Sequence, residues 1–215
     1  MGIIRQGILG GFRNKTGSVV GAAWRNLDVI RGLPRKSNKP ATELQIEQRT
    51  KFGLVTEFLT AMTEFIEEGY KKGSGSASAM NEAVAYHLKN AVTGIAPNFT
   101  IDYTKLQFSK GSLSVPSIST VDTVTPASVD FNWSLDGPNS RYKDDTDVIN
   151  VLAFNPTKKQ FVALRAAAPR SALNYSLMLP LDFVGDSVHC FFSFTSKKKK
   201  KLNSKSVYIG LLPVA

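Results

Sequence analysis

The chain has 215 residues, 42% of them hydrophobic and 20% charged, and a formal net charge of +10. Those proportions argue against wholesale disorder, and the length suits one large or two modest domains. A single cysteine, Cys190, excludes an internal disulfide and a cysteine-based zinc cluster.

The charge is unevenly spread. Residues 1–40 hold eight Lys/Arg against one acid, Asp28; residues 41–93 hold five against seven, and residues 94–215 fourteen against nine. A basic arm of this kind is either a solvated surface or a footprint for an anionic partner, nucleic acid or an acidic neighbouring subunit. The N-terminus lacks the apolar core and small-residue cleavage site of a signal peptide. No window approaches about 18 uninterrupted apolar residues, so no membrane partner is expected. Cytoplasmic synthesis follows as the expectation, with residence in a virion as the further possibility.

Residues 1–16 are glycine-rich with scattered apolar residues, among them Ile8, Leu9 and Phe12. Glycine costs backbone entropy on ordering, so this leader is expected to become fixed only against a partner surface. From Gly17 the pattern is extended, with Val20, Ala22 and Trp24 on one face of a strand. A turn at Arg25-Asn26 and a second strand over Leu27–Leu33, containing Ile30, complete a two-stranded hairpin. A lone hairpin is marginal, so it must pack on the body or on a neighbour. A basic linker follows, PRKSNKP, residues 34–40.

Thr42 as N-cap with Gln45 in a capping box predicts a helix from about Glu43 to Tyr70 or Lys72. Its apolar stripe is Phe52, Val55, Leu59, Met62 and Ile66. After GSGSAS a second helix starts near Ser76 or Ser78, carries Met80, Val84, Leu88, Ala91 and Val92 inward, and closes at Gly94. The two together predict an antiparallel helical hairpin. Beyond Pro97 the period changes: Phe99, Ile101 and Tyr103, then Leu106 and Phe108, suggest an extended segment pairing with the arm.

The remainder reads as strands near 112–118, 128–135, 147–154, 160–166, 173–179, 187–195 and 204–212. Turn chemistry separates them, as in DGPN at 136–139 and NPTKK at 155–159. Strands at this spacing, with Trp133 alternating with Phe131 and Val129, predict an antiparallel β-sandwich. The fold class is thus α+β, with domains at 1–111 (arm, β-hairpin, helical hairpin) and 112–215 (sandwich).

The chemistry of catalysis is sparse. GILGGF lacks the GK[ST] of a phosphate loop, and no G-x-S-x-G elbow occurs. His87 and His189 have no neighbour at metal-ligand spacing. The acidic run Asp144, Asp145, Asp147 lacks the glycine and glutamate of a calcium loop and reads as a solvated loop. No enzyme, cofactor, metal or small-molecule substrate is expected.

The string GILGGFRNKTGSVVGAAWRNLDVIRGLPRKSNKPATELQIEQRTKF, with HLKNAVTG and DSVHCFFSF downstream, resembles an uncharacterised family of Bacteroidota proteins. Gly17, Val19, Val20, Gly21, Trp24, Arg31, Pro34, Thr42, Gln45, Gln48, Arg49, Lys51 and Phe52 carry the likeness. The chain departs from the pattern at Asn38-Lys39-Pro40, where one residue separates the Asn and Pro. The resemblance implies a bacterial or phage-associated setting and no assigned activity. LMLPLDFVGDSVHCFFSF is similar to the turn into the sixth strand of a fibronectin type III domain, with Phe183 packing the corner.

Two functions of different class follow. The first is a non-enzymatic structural subunit, a homo-oligomer or part of a larger phage or phage-derived assembly. Its interface is Ile8, Leu9, Phe12, Val20, Trp24 and Ile30. The alternative is nucleic-acid binding by Arg25, Arg31, Arg35, Lys36 and Lys39 on phosphates.

Overall fold

The computed structural model describes residues 2–4, 11–24, 27–35, 38–70, 77–123, 126–135, 143–199 and 201–215. It is an α+β fold with, among the described residues, three α-helices and mainly antiparallel sheet, divided into two compact units, Met1–Glu43 and Leu44–Ala215. The expected division at 111/112 lies inside the second unit. The turns expected at 25–26 and 136–139 and most of the loop after residue 70 lie outside the described residues.

The first unit is one small sheet. β1 (Gly2–Ile4), β2 (Asn14–Thr16), β3 (Val19–Trp24) and β4 (Leu27–Gly32) run in the order β1-β4-β3-β2. Strands β3 and β4 pair antiparallel with Trp24 opposite Leu27 and Gly21 opposite Ile30. The leader adds an edge strand on each side, with Ile3 opposite Val29 and Lys15 opposite Val20. The expected two-stranded hairpin is therefore four-stranded, because the leader finds backbone partners within its own chain.

The second unit opens with α1 (Glu43–Thr60) and α2 (Thr63–Gly69). The single helix expected through residue 70 breaks at 61–62. Met62 N–H donates to Leu59 O at 3.0 Å, a tightened i−3 bond. Around it the Thr60 and Thr63 hydroxyls donate to the backbone carbonyls of Thr56 and Thr60. Thr50 and Thr56 make the same kind of bond inside α1 without breaking it, so the hydroxyls accompany the break and the tightened bond at Met62 marks it. Of the expected stripe, Val55, Leu59, Met62 and Ile66 are buried, but Phe52 is 53% exposed. Leu44 and Ile46, earlier in α1, are exposed as well.

α3 (Ala79–Asn90) begins at Ser78, whose Oγ accepts from Asn81 N–H, an N-cap bond. It ends at Asn90. Gly94 belongs instead to β5 (Val92–Ile95), which pairs with β6 (Asn98–Ile101) in a tight hairpin. The extended segment at 99–101 thus pairs with β5 and not with the arm, since the chain reverses at Ala96-Pro97. Three helices and a β-hairpin stand where two helices were expected.

Seven strands follow: β7 (Ile118–Asp122), β8 (Ser128–Trp133), β9 (Val148–Asn155), β10 (Gln160–Pro169), β11 (Asn174–Met178), β12 (Ser187–Thr195) and β13 (Val207–Pro213). They form a three-stranded sheet β11-β8-β7 and a four-stranded sheet β10-β9-β12-β13. The first of them starts at Ile118, not Ser112; upstream, Leu113 makes only an isolated bridge to Ser204.

The two inner strands of the four-stranded sheet, β9 and β12, are covered on both faces. Ile149, Val151 and Ala153 of β9, with Val188, Cys190, Phe192 and Phe194 of β12, share a core with Val129, Phe131 and Trp133 of β8. Leu152, Phe154 and Phe191, on the opposite face, share a second core with Val55, Leu59 and Ile66 of the helices. Burial on both sides explains why β12 reads as the near-continuous apolar run VHCFFSF where alternation is expected of a one-sided strand.

Candidate functional site

In the arm, side chains directly opposite across an antiparallel pair share a face. Ile3, Ala22, Trp24, Leu27 and Val29 therefore lie together, and Val20 with Arg31 continues the same face. Val29 is buried, while Ile3, Trp24 and Leu27 are 52%, 48% and 40% exposed. The other face is closed by the chain itself. A Cβ on Gly21 would stand 2.1 Å from Phe12 O, so the leader lies directly on that glycine.

This geometry divides the residues expected at an interface. Trp24 and Val20 share the open face; Phe12 lies over Gly21 on the closed one, which Ile30 also faces, and both are half-buried. Ile8 and Leu9 lie outside the described residues. Ile3, one of the leader's apolar residues, and Leu27, in the second expected strand, belong to the same face as Trp24. Leu27 was legible as the residue facing Trp24 across a two-residue turn, once register was considered. Of the basic candidates, Arg31, Arg35 and Lys39 are exposed, and Arg25 and Lys36 lie outside the described residues.

The second unit carries a cleft of about 360 Å³ between α1, the β5–β6 hairpin and the turn joining β9 to β10. Phe58, Phe99, Tyr103 and Phe161 form its aromatic walls, with Glu57 and Lys159 supplying charge. The walls brace one another: Phe58 stands edge-on to Phe161 at 5.2 Å, and Tyr103 lies against His189 at 4.4 Å. These rings belong to four separate elements, so the cleft leaves no local sequence signature.

Both histidines are hydrogen-bonded within the fold, His189 through Nδ1 to the Tyr208 hydroxyl at 3.0 Å. His87 Nδ1–H donates to Ala83 O at 2.7 Å and Nε2 accepts from Gln107 N–H at 3.1 Å, fixing the neutral ring. Burial lowers the pKa of His87 and of His189. Burial pushes the Cys190 thiol up to about 12, leaving it a small core hydrophobe at neutral pH. Among the described residues no cluster of three or more His, Cys, Asp and Glu is placed to hold a metal, and no helix is long and apolar enough to cross a membrane.

The acidic run is not wholly a solvated loop. Asp144 accepts from Thr146 and from Lys198 Nζ, and the lysine contact holds its carboxyl well below the usual range. Asp147, however, is fully buried beside the equally buried Arg170, with Nη2 to Oδ2 at 3.6 Å. Arg170 also donates to Ser114 O, and its guanidinium lies 4.6 Å from the Phe194 ring centre. Trp133 Nε1–H donates to Arg170 O at 2.7 Å. The pair joins the entry to β9 to the end of β10 and holds the core tryptophan.

A family model described as a family of unknown function (DUF6266) matches residues 10–210. A comparison with curated proteins returns no match.

Proposed function

The chain belongs to this family of unknown function, and we propose that it is a non-enzymatic structural subunit that assembles through its N-terminal arm. One observation carries the reading: a separate basic unit whose sheet is closed on one face by its own leader and presents Ile3, Trp24 and Leu27 on the other. Three large apolar side chains on one face of so small a sheet are surface meant for a partner. The acidic helical segment of a second copy, with seven acids against five bases in residues 41–93, complements the arm's charge. A phage or phage-derived virion is the assembly that the sequence resemblance suggests.

The body supports a scaffold role. We read its two sheets as a β-sandwich of the fibronectin type III kind. Its first, second and fifth strands (β7, β8, β11) face its fourth, third, sixth and seventh (β10, β9, β12, β13). Phe183 is fully buried at the corner leading into the sixth. Folds of this kind present surfaces and loops on a rigid frame.

Light scattering on the full chain over a concentration series tests the reading. Mass is expected to rise with concentration, and Trp24→Ser with Leu27→Ser to return it to that of a monomer. A wild-type chain that stays monomeric throughout refutes it. Exposed Arg31, Arg35 and Lys39 favour nucleic acid as the second reading. That reading requires DNA binding that weakens steeply with salt and a shallower slope once Arg31, Arg35 and Lys39 become Ser.

A further inference from the structure

We propose that the aromatic cleft of the second unit is the acceptor site for the arm of a second copy, with Trp24 as the inserted side chain. This rests on the assembly reading above and names the surface that the arm meets. The cleft, about 360 Å³, is at the small end of the roughly 300–1,000 Å³ that ligand pockets span, which suits one side chain better than a large cofactor.

Its walls are chemically matched to an indole. Phe58, Phe99, Tyr103 and Phe161 line it. Lys51 Nζ already stands 4.6 Å from the Phe99 ring centre and Tyr103 packs on His189, so an entering aromatic meets the remaining ring surface, where edge-to-face contacts add to plain area burial. Trp24 is 48% exposed on the open face of the arm, with Leu27 directly opposite it in the sheet. A tryptophan entering a preformed pocket, ringed by lesser contacts, is the usual centre of an interface.

Charge fixes the direction of approach. Arg31 lies on the same face as Trp24, opposite Val20, at about 13 Å along the strand from Trp24 by strand rise. Glu57 lines the cleft and is exposed. Lys159 lines it as well, and Lys51, paired with Glu47, stands over Phe99, so the arm enters with Arg31 towards Glu57 and away from Lys159 and Lys51. Like charges brought together at an interface oppose docking, and this excludes the reversed orientation.

The chain has two tryptophans; Trp133 is buried at 3% exposure, so changes in emission and quencher access report Trp24. In the full-length protein, a rising mass by light scattering should accompany a blue shift and loss of acrylamide quenching. Phe99→Ser and Glu57→Arg each should weaken association by tenfold or more while leaving the thermal transition of the body in place. Arg31→Glu should restore association to the Glu57→Arg chain. Association unchanged in both cleft variants overturns the cleft as acceptor and leaves assembly standing. A wild-type chain that never associates removes the assembly reading and this site with it. Trp24 protected in a monomer places the arm on its own chain and also overturns the proposal.

Discussion

At the scale of single residues the Asp147–Arg170 pair is the costliest element to disturb. Both side chains are fully buried, and among the described residues Asp147 Oδ1, Arg170 Nε and Arg170 Nη1 have no hydrogen-bond partner. Such a pair contributes little net stability, yet removing one member strands a charge in low dielectric at about 3–5 kcal/mol. Arg170→Met alone should cost that much in urea unfolding. Arg170→Met with Asp147→Leu should recover most of it, and additive losses would show that the two do not act together. The histidines set a different dependence. Burial holds both pKa values below the ordinary 6.5, so the unfolded chain binds protons that the folded chain refuses. The stability is fully present above pH 6.5 and is lost as pH falls from there towards the folded-state values. Unfolding free energies between pH 7.5 and 5 should decline accordingly, and more shallowly once His87 and His189 are replaced by Gln.

At the scale of elements, two helical glycines separate propensity from packing. A Cβ on Gly53 meets nothing within 4 Å, whereas one on Gly69 would stand 2.2 Å from Phe108 O. Gly53→Ala should therefore stabilise the helix by about 0.5–1 kcal/mol, as expected in an open helix interior. Gly69→Ala should destabilise, because α2 packs backbone against backbone there and Lys110 N–H donates to Gly69 O. Equal shifts in thermal midpoint for the two would refute this. The same contrast explains what the sequence made legible. Val55, Leu59, Met62 and Ile66 were readable as a stripe because period alone decides them. The break at 61–62 was not, since no glycine, proline or change of period marks it. Strands β8, β9 and β12 were readable from Trp133, from the VINVLAF run and from VHCFFSF. That β9 and β12 are covered on both faces was not, because a helical layer distant in sequence supplies the second cover.

At the scale of the whole molecule, Trp24 and the basic residues of the arm were visible in the sequence as an arm without a pocket. The cleft was not, because Phe58, Phe99, Tyr103 and Phe161 meet only after α1, the β5–β6 hairpin, the turn at Tyr103–Lys105 and β10 are assembled. Among the described residues the two core clusters contain none before Val55. Deleting residues 1–34 should then leave the cooperative thermal transition of the body within a few degrees of its original midpoint, since about 1 kcal/mol shifts a domain of this size by roughly 2–4 °C. The same deletion should abolish any rise of mass with concentration. Calorimetry and light scattering on one preparation check both halves together. A midpoint lowered by tens of degrees would make the arm part of the body's fold, and a truncated chain that still associates would place the interface elsewhere.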